Sequence, residues 1–426
     1  MNIKIAYDAD LLIISNININ TQRGGIYFVG YNIAKILLNN KYIDLYFYVS
    51  KYFVNRAKNI LSRIYDTNNI KVISEYSKEW FEINIFYSFY RRPDNFIINN
   101  KNIVKYILIH DVTPIIDNML DWGNEIFTHL DEDYIYFTNS NYSKLDLIKY
   151  SNGFVNENRV HVTLLGYDKR FKKKELNDFI RNKYNIPKDK KYVFALCGLH
   201  PRKNLVRNII TFFKFINKNN IKDMIFIMGG YHSEDFINTF YDEIKEYKDQ
   251  IIQLGYVDDE DVPYLYSGAQ WFIYTSQYEG FGLPPLEAMA CGCPVITSNN
   301  TSLPEVVGDA GIMIDWDSDE QHISAYEKYY FDEEYRKEMS KRGLERSKLF
   351  SWENCVNSTL NIICNNYNKN QKNTFLIRYD TCMHMKIFKK IFILPKLNQI
   401  FSVTKSSDNK FYIINIFFIK ISIRRK

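Results

Sequence analysis

The sequence has few cysteines, and they are not spaced to bind zinc. Of the six cysteines in 426 residues, only Cys291 and Cys293 lie close together, and this C-x-C pair has no second pair elsewhere. Such spacing argues against a four-ligand zinc site. We therefore expect free, buried thiols in a reducing compartment.

Signals for export and for membrane insertion are also missing. The N-terminal stretch MNIKIAYDADLLII has no basic region, long apolar segment or small-residue cleavage site, and it predicts a first core strand. No run of about eighteen uncharged apolar residues occurs, so no membrane-spanning helix is predicted. The expected location is the cytoplasm, with peripheral attachment to the inner face of the cytoplasmic membrane left open.

An excess of positive over negative charge is absent outside the C-terminal tail. The chain carries a net charge of +6, but residues 375–426 contain eleven Lys/Arg against two Asp, so the other 374 residues carry a net charge of −3. A basic pI that comes from one tail does not indicate a nucleic-acid partner, and we expect none. The tail is rich in aromatics and isoleucine. It predicts either a β-hairpin over a lobe or an anchor on anionic lipid.

What the sequence does contain is a regular alternation of short apolar runs with helical patterns. Seven runs between Ile3 and Tyr167, and six between Tyr192 and Asp315, are apolar at nearly every residue. Parallel strands covered on both faces have this pattern. It predicts an α/β protein with two Rossmann-like lobes facing a cleft.

Breaks in this pattern set the predicted domain boundaries. The polar stretch YNIPKDKK separates a first lobe, residues 1–186, from a second lobe, residues 187–350. Ser351 suits the N-cap of a closing helix over residues 351–368, which we expect to pack back toward the first lobe. Residues 369–426 form the basic tail.

The segment YEGFGLPPLEAMACGCPVI, residues 278–296, follows the predicted strand WFIYTS. Pro284 and Pro285 suit the first turn of a helix, and Gly292 suits its end. Gly280, Phe281 and Gly282 therefore lie just before a helix N-terminus, at the carboxyl end of a strand. Exposed N–H groups and the helix dipole at such a place favour phosphate.

Cations follow a second strand in LCGLHPRKNL. Arg202 and Lys203 open a predicted helix there, where positive charge is unfavourable and hence indicates function rather than folding. Two adjacent cations suit a diphosphate. The alternative is a solvated helix start.

Glu279 and Glu287 flank the glycine-rich bend. A carboxylate inside a phosphate-binding helix would repel phosphate unless it faced another part of the ligand. Carboxylates suit vicinal hydroxyls, so we assign Glu287 to a ribose and Glu279 to a transferred sugar. The alternative is a pair of surface glutamates beside a turn.

These strings resemble the retaining glycosyltransferases of family 4, including bacterial mannosyltransferase-like group 1 enzymes, which have the GT-B fold. Glu279 and Glu287 match the family's E-x7-E signature. Further matching pieces are RGGIYFVGYNIAKIL, IHDVTP, TNSNYSKLDL, LLGYDKRF, HPRKNL, GYVDDEDVPYLYSGA and FSWENC. The resemblance covers residues 3 to about 365.

The resemblance implies a hexosyltransferase that takes an activated nucleotide sugar in the second lobe and a saccharide or lipid-linked acceptor in the first. It implies no metal and no other cofactor. Arg202 and Lys203 would hold the diphosphate leaving group, and Glu279 would contact the sugar. The remaining implied contacts are Glu287 to the ribose, Gly24 and Gly25 to the donor phosphates, His110 near the reacting sugar, and Gly280, Phe281, Gly282 and Leu283 around the sugar and phosphates.

The expected function is synthesis of a bacterial surface polysaccharide or lipopolysaccharide. The alternatives are a GT-B nucleotide-sugar epimerase and a non-catalytic sugar- or polyanion-binding protein. The acidic run from Asp258 to Asp261 resembles a D-x-D metal motif, but it precedes a predicted helix and is expected to cap it. Arg23 is a candidate contact to phosphate or acceptor. Arg91 and Arg92 are either a surface pair or a site for an anionic acceptor.

Overall fold

Two separate parallel sheets carry the architecture. The computed structural model describes residues 2–17, 24–113, 130–198, 200–230, 241–367, 402–405, 411–416 and 419–424. Within these residues, the first sheet has the order β3-β2-β1-β4-β5-β6-β7 and the second the order β10-β9-β8-β11-β12-β13. The second order is that of a Rossmann fold. The two-lobed α/β prediction is confirmed.

The strands lie where the apolar runs predict them. Those of the first sheet are β1 (Ile3–Asp8), β2 (Ile43–Tyr48), β3 (Val72–Ile73), β4 (Ile85–Ser88), β5 (Val104–Ile109), β6 (Ile135–Thr138) and β7 (Val160–Val162). Those of the second are β8 (Lys191–Leu196), β9 (Met224–Gly229), β10 (Ile251–Gln253), β11 (Trp271–Tyr274), β12 (Val295–Ser298) and β13 (Ile312–Ile314). Every residue of β9 and β11 is buried, because helices cover both faces of the sheet.

Helices connect the strands and cover the sheets. In the first lobe they are α1 (Asp10–Ile17), α2 (Gly25–Leu38), α3 (Val54–Tyr65), α4 (Asn95–Asn99) and α5 (Asn141–Tyr150). Next along the chain is α6 (Asp178–Lys183), which precedes the predicted boundary. The second lobe has α7 (Leu205–Lys218), α8 (Tyr241–Ile244), α9 (Val262–Gly268), α10 (Leu283–Ala290), α11 (Leu303–Val307), α12 (Asp319–Phe331) and α13 (Glu333–Ser347). Short 3-10 helices cover Lys78–Phe81, Glu157–Arg159, Pro201–Lys203 and Lys245–Gln250.

Aromatic side chains dominate both cores. In the first lobe the ring of Tyr7 stacks on Tyr87 at 5.5 Å and on Phe89 at 5.4 Å. A Cβ at Gly30 would overlap the Phe89 ring, so a glycine is required where α2 crosses these aromatics. In the second lobe Trp271 stacks on Tyr326 of α12 at 5.8 Å. These contacts pack α2 and α12 against the two sheets.

A last helix covers residues 352–367. Its N-cap is Ser351, as predicted, because the Ser351 Oγ accepts a hydrogen bond from the N–H of Asn354 at 3.0 Å. The first turn contacts the first lobe: the Cys355 thiol lies 3.9 Å from the carbonyl oxygen of Thr163. A Cβ at Gly166 would overlap the backbone of this turn.

Residues 361–426 are a compact unit distinct from residues 1–360. This unit contains an antiparallel sheet of β14 (Ser402–Lys405), β15 (Phe411–Ile416) and β16 (Ile419–Arg424). These strands form a hairpin with a third strand added, and whether the tail covers a lobe or binds lipid stays a prediction. In the described part of the chain, no helix combines the length and the apolarity that spanning a membrane requires.

Candidate active site

The candidate site lies where the order of the second sheet reverses. Strands β8 and β11 are adjacent there, and their carboxyl ends lead to the Arg202–Lys203 turn and to the loop of residues 275–282. Ligands of open α/β sheets bind at such switch points. The two loops are joined, since the carbonyl oxygen of Arg202 accepts hydrogen bonds from Gln277 N at 2.7 Å and Ser276 Oγ at 3.0 Å.

Lys203 and Glu279 form an ion pair in this site. Tyr274, the last residue of β11, completes a triad: its hydroxyl accepts from Lys203 Nζ at 2.8 Å and donates to Glu279 Oε1 at 2.8 Å. Only 14% of the Lys203 side chain and 11% of the Glu279 side chain are exposed. The backbone at Asn204, with φ of +60°, turns the chain between Lys203 and α7.

Arg202 lies beside the same loop. Its Nη1 donates to the carbonyl oxygen of Tyr278 at 2.8 Å. Its Nε is buried, and no hydrogen-bond partner for it occurs among the described residues. A guanidinium has five N–H donors in a fixed fork, and a buried donor without an acceptor is costly. The guanidinium of Arg202 can therefore bind an anionic ligand through Nε while Nη1 keeps its hydrogen bond to Tyr278.

The glycine-rich bend meets the first lobe closely. A Cβ at Gly280 would overlap the carbonyl oxygen of His110, so only glycine fits at this position. Gly282 has φ of +109°, which favours glycine, and it is the N-cap of α10. Leu283 begins α10, with proline in its first turn as predicted. The buried Phe281 ring packs on Phe350, so this residue can offer a ligand only its backbone.

A polar segment after β12 supports the bend. Ser302 Oγ donates to the carbonyl oxygens of Glu279 at 2.9 Å and Phe281 at 2.8 Å, and Thr301 Oγ1 accepts from Glu279 N at 3.2 Å. Asn300 Nδ2 donates to the carbonyl oxygen of Gln277 at 2.8 Å. Sequence reasoning missed these residues. Their signal was the polar run SNNTS at the end of a neighbouring strand, at the same sheet edge.

Glu287 lies apart from Glu279 and has different neighbours. The hydroxyl of Tyr266 donates to Glu287 Oε2 at 3.5 Å. Burial raises the pKa of Glu287 to about 8, although Arg170 acts in the opposite direction. The two signature carboxylates therefore have different surroundings: Glu279 pairs with Lys203, and Glu287 contacts Tyr266 of α9.

Arg170 acts electrostatically on Glu287 and also contacts the first turn of α2. Sequence reasoning gave this arginine no role of its own. Its guanidinium lies 5.1 Å from the centre of the Phe28 ring, in the first turn of α2. Its Nη1 is 3.9 Å from Asp259 Oδ2. The signal was its place in LLGYDKRF, at the junction of the lobes.

The first-lobe candidates face the bend from the other side. A Cβ at Gly25 would lie 3.7 Å from Leu283 Cδ1, and one at Gly24 would meet none of the described residues within 4 Å. His110 Nε2 is 2.6 Å from the carbonyl oxygen of Phe89. Burial lowers the pKa of His110, so the imidazole is neutral, with its Nε2–H donating to that carbonyl.

The first turn of α5 makes direct contacts with the second lobe. Ser140 Oγ and Ser143 Oγ lie 2.7 and 3.0 Å from the carbonyl oxygen of Gly280. Glu305 of α11 accepts hydrogen bonds from the N–H groups of Asn141 at 2.9 Å and Tyr142 at 2.7 Å. The bend is therefore held from both lobes.

The remaining candidates have other partners. Lys183 pairs with Asp258 at 2.6 Å and Asp261 at 2.5 Å, and the Asp261 side chain makes no cap hydrogen bond, contrary to expectation. Across the described residues, no cluster of His, Cys, Asp and Glu is able to hold a metal ion.

Arg91 is surrounded by Asp8, Asp10 and Asp94 and is not available to an anion. Arg92 donates to Asn95 at 2.9 Å. Arg23 lies outside the described residues.

Comparison with known proteins defines the class. Residues 177–346 match the family model for glycosyl transferases group 1. The structure of Anabaena Alr3699/HepE in complex with UDP-glucose aligns with a TM-score of 0.64 at 15% identity, covering 85% of this chain and 100% of that chain. WaaG, a glycosyltransferase involved in lipopolysaccharide biosynthesis, aligns with a TM-score of 0.61 at 12% identity over 85% and 99%. The fold is therefore GT-B, and residues 177–346 of this chain resemble the group 1 glycosyltransferases.

Sequence relatives refine the class. The O-antigen chain mannosyltransferase B of Escherichia coli is 44% identical over 172 residues, which are 40% of this chain and 45% of that protein. A serotype-specific mannosyltransferase WbdA of Escherichia coli is 31% identical over 177 residues, 41% and 22% of the two chains. The match thus spans less than half the length of these relatives.

Proposed function

We propose that this protein transfers a hexose from a nucleotide sugar to a lipid-linked saccharide, with retention of configuration at the anomeric carbon. The product would be a bacterial surface polysaccharide or lipopolysaccharide. Mannose is the first sugar to test, because the relatives at 44% and 31% identity are mannosyltransferases.

One observation carries the proposal: a cationic dipeptide, a glycine-rich bend and a carboxylate converge at the switch point of the second sheet. Arg202 has a buried donor without a partner among the described residues, and Lys203 lies within reach of the same loop. An oxygen of a diphosphate would supply the acceptor that the Nε–H of Arg202 lacks among the described residues. One aimed donor in a site shielded from water stabilises developing charge by about 2.7–4 kcal/mol.

The arrangement suits departure of a diphosphate more than attack by a protein nucleophile. An acceptor hydroxyl attacks the anomeric carbon on the face that the diphosphate leaves, and the electron pair of the broken bond stays on the leaving oxygen. The acceptor's proton passes to that oxygen. Arg202 and Lys203 neutralise the charge that builds up, and Glu279, already hydrogen-bonded to Tyr274, orients the sugar.

The other candidates fit the same ligand. Among the described residues, none would crowd a phosphate that approaches α2 at Gly24, and Gly25 lies beside Leu283. Glu287 would accept from the ribose hydroxyls. His110, with its backbone against Gly280, would lie near the transferred sugar. No step requires a metal ion.

The test begins with ligand binding and ends with product analysis. Thermal shifts with GDP, UDP and ADP identify the nucleotide, since bound ligand stabilises the fold as the logarithm of its concentration. The matching nucleotide sugar is then incubated with and without a saccharide acceptor, and the anomer is assigned by NMR. A retained anomer formed only with acceptor supports the proposal. Turnover without acceptor indicates an epimerase, and binding without turnover indicates a binding protein.

We also infer that the tail attaches the protein to the cytoplasmic face of an anionic membrane. Residues 375–426 carry a net charge of +9. Each basic residue near an anionic surface contributes about 1 kcal/mol, so a fraction of these charges suffices. Sedimentation with anionic and with neutral vesicles tests this inference. The full chain should sediment with anionic vesicles, and a chain ending at Asn370 should not; equal sedimentation of the two would contradict it.

A further inference from the structure

The hydroxyl of Tyr274 contacts both charged members of the triad. Tyr274 ends the buried strand β11, and its ring stacks on Phe272 with centres 5.9 Å apart. Lysine has only donors and an ionised carboxylate only acceptors, so the hydroxyl accepts from Lys203 and must give its single proton to Glu279. Burial raises the pKa of Tyr274 well above its usual range, which keeps that proton in place.

The triad must change when a diphosphate binds. Under the proposed function, the ammonium of Lys203 turns toward the phosphates, and Glu279 then loses one of the two side-chain donors that it has among the described residues. If Tyr274 were also missing, the largely buried carboxylate would have no donor among these residues, which costs free energy and leaves the side chain free to rotate. The Tyr274 hydroxyl is held by the strand rather than by the ligand, so its bond to Glu279 can persist.

We propose that Tyr274 is a positioning residue for the sugar. Its hydroxyl fixes Glu279 Oε1 when Lys203 engages the diphosphate, and the second carboxylate oxygen is thereby presented to a hydroxyl of the transferred sugar. Both contacts in the structure fall on Oε1, which fits this division of roles. This role rests on the proposed function, because it needs a diphosphate to draw Lys203 away.

Tyr274→Phe tests the role directly, because it keeps the ring and removes only the hydroxyl. Binding of GDP and UDP, which carry no sugar, should change less than twofold. Turnover of the nucleotide sugar should fall by up to about 100-fold, since small misplacements of a reacting group have effects of that size. The loss should appear in kcat rather than in nucleoside diphosphate affinity.

The matched control is Tyr192→Phe. Tyr192 lies in β8 of the same sheet, is buried, and donates its hydroxyl to the carbonyl oxygen of Leu265 at 2.7 Å. Its loss removes an equivalent buried hydrogen bond away from the triad, so turnover should match that of the wild type. Equal losses in both variants would assign Tyr274 a purely structural role and overturn the proposal.

A double-mutant cycle with Glu279→Gln adds a readout that packing alone does not move. If Tyr274 acts through Glu279, the double variant should be no slower than Glu279→Gln alone. Additive losses would overturn the proposal, as would full turnover by Tyr274→Phe. Failure of the wild type to bind GDP, UDP or ADP would instead contradict the proposed function, so the two failures are distinguishable.

Discussion

Glu305 caps a helix that belongs to the other lobe. Its carboxylate, on α11, accepts from the first two N–H groups of α5, those of Asn141 and Tyr142, at 2.9 and 2.7 Å. A carboxylate at a helix N-terminus satisfies free donors and opposes the positive end of the helix dipole. One side chain thereby joins the lobes beside the glycine-rich bend.

Removing this cap should lower the stability of the joined lobes. Glu305→Ala is expected to reduce the free energy of unfolding by about 1 kcal/mol, the usual effect of losing an N-cap, and Glu305→Gln by less. Urea denaturation measures the change. The control is Glu338→Ala, which removes an exposed pair with Arg342 and should cost about 0.5 kcal/mol at most. Equal losses of unfolding free energy in Glu305→Ala and Glu338→Ala would contradict a capping role for Glu305.

Arg202 should be more important for turnover than for folding. Arg202→Ala is expected to reduce turnover of the nucleotide sugar about 100- to 1000-fold, because it removes a donor to the leaving group. Arg202→Lys should recover little, since an ammonium lacks the guanidinium fork. The control cation is Arg207, one turn further on, which pairs with Asp319. Steady-state kinetics should show Arg207→Ala close to the wild type; similar losses at both positions would contradict the assignment.

Gly24 and Gly280 should respond differently to a methyl group. Gly280→Ala is expected to lower the melting temperature, because its Cβ would overlap the His110 carbonyl oxygen. Gly24 has φ of −91°, and no described residue lies within 4 Å of the added Cβ, so Gly24→Ala should melt like the wild type. Calorimetric titration with nucleoside diphosphate should nevertheless show weaker binding by Gly24→Ala. Unchanged affinity would mean that no phosphate approaches Gly24.

Glu287 should make stability depend on pH. Because the folded chain raises its pKa from 4.5 to about 8, the native state holds a proton that the unfolded chain releases across that window. The contribution of Glu287 to stability is therefore present below about 4.5 and is lost as the pH rises through about 8. Glu287→Gln removes this dependence.

The free energy of unfolding, measured at pH 6 and pH 9 for both proteins, checks the sign. The stability of Glu287→Gln should increase relative to the wild type as the pH rises. A difference between the two proteins that does not change with pH would show that the carboxyl is already ionised in the native state.

The strands and the lobes were predictable because their signal is local. Strands such as β9 and β11 are apolar at every residue, and the polar break after Tyr184 marks the end of the first group. The turn residues Pro284 and Gly282 act through their own backbone conformations and were equally legible. The sequence also identified Arg202, Lys203 and Glu279 as candidates from the loops that carry them.

The contacts among these residues were not predictable, because they join distant parts of the chain. Lys203 meets Glu279 across 76 positions, and Tyr274 had the pattern of an ordinary core strand residue. The partners of Glu305 are 163 and 164 positions away in the other lobe. The first contact depends on how β8 and β11 pair within one sheet and the second on how the two lobes meet, and no periodicity in the sequence encodes either.

The most direct test of the account is calorimetric titration of GDP, UDP and ADP into the wild type and an Arg202→Ala/Lys203→Ala variant that melts at the same temperature. The account predicts that at least one nucleoside diphosphate binds the wild type and that the variant loses this binding. No binding by the wild type, or equal binding by both proteins, would contradict it.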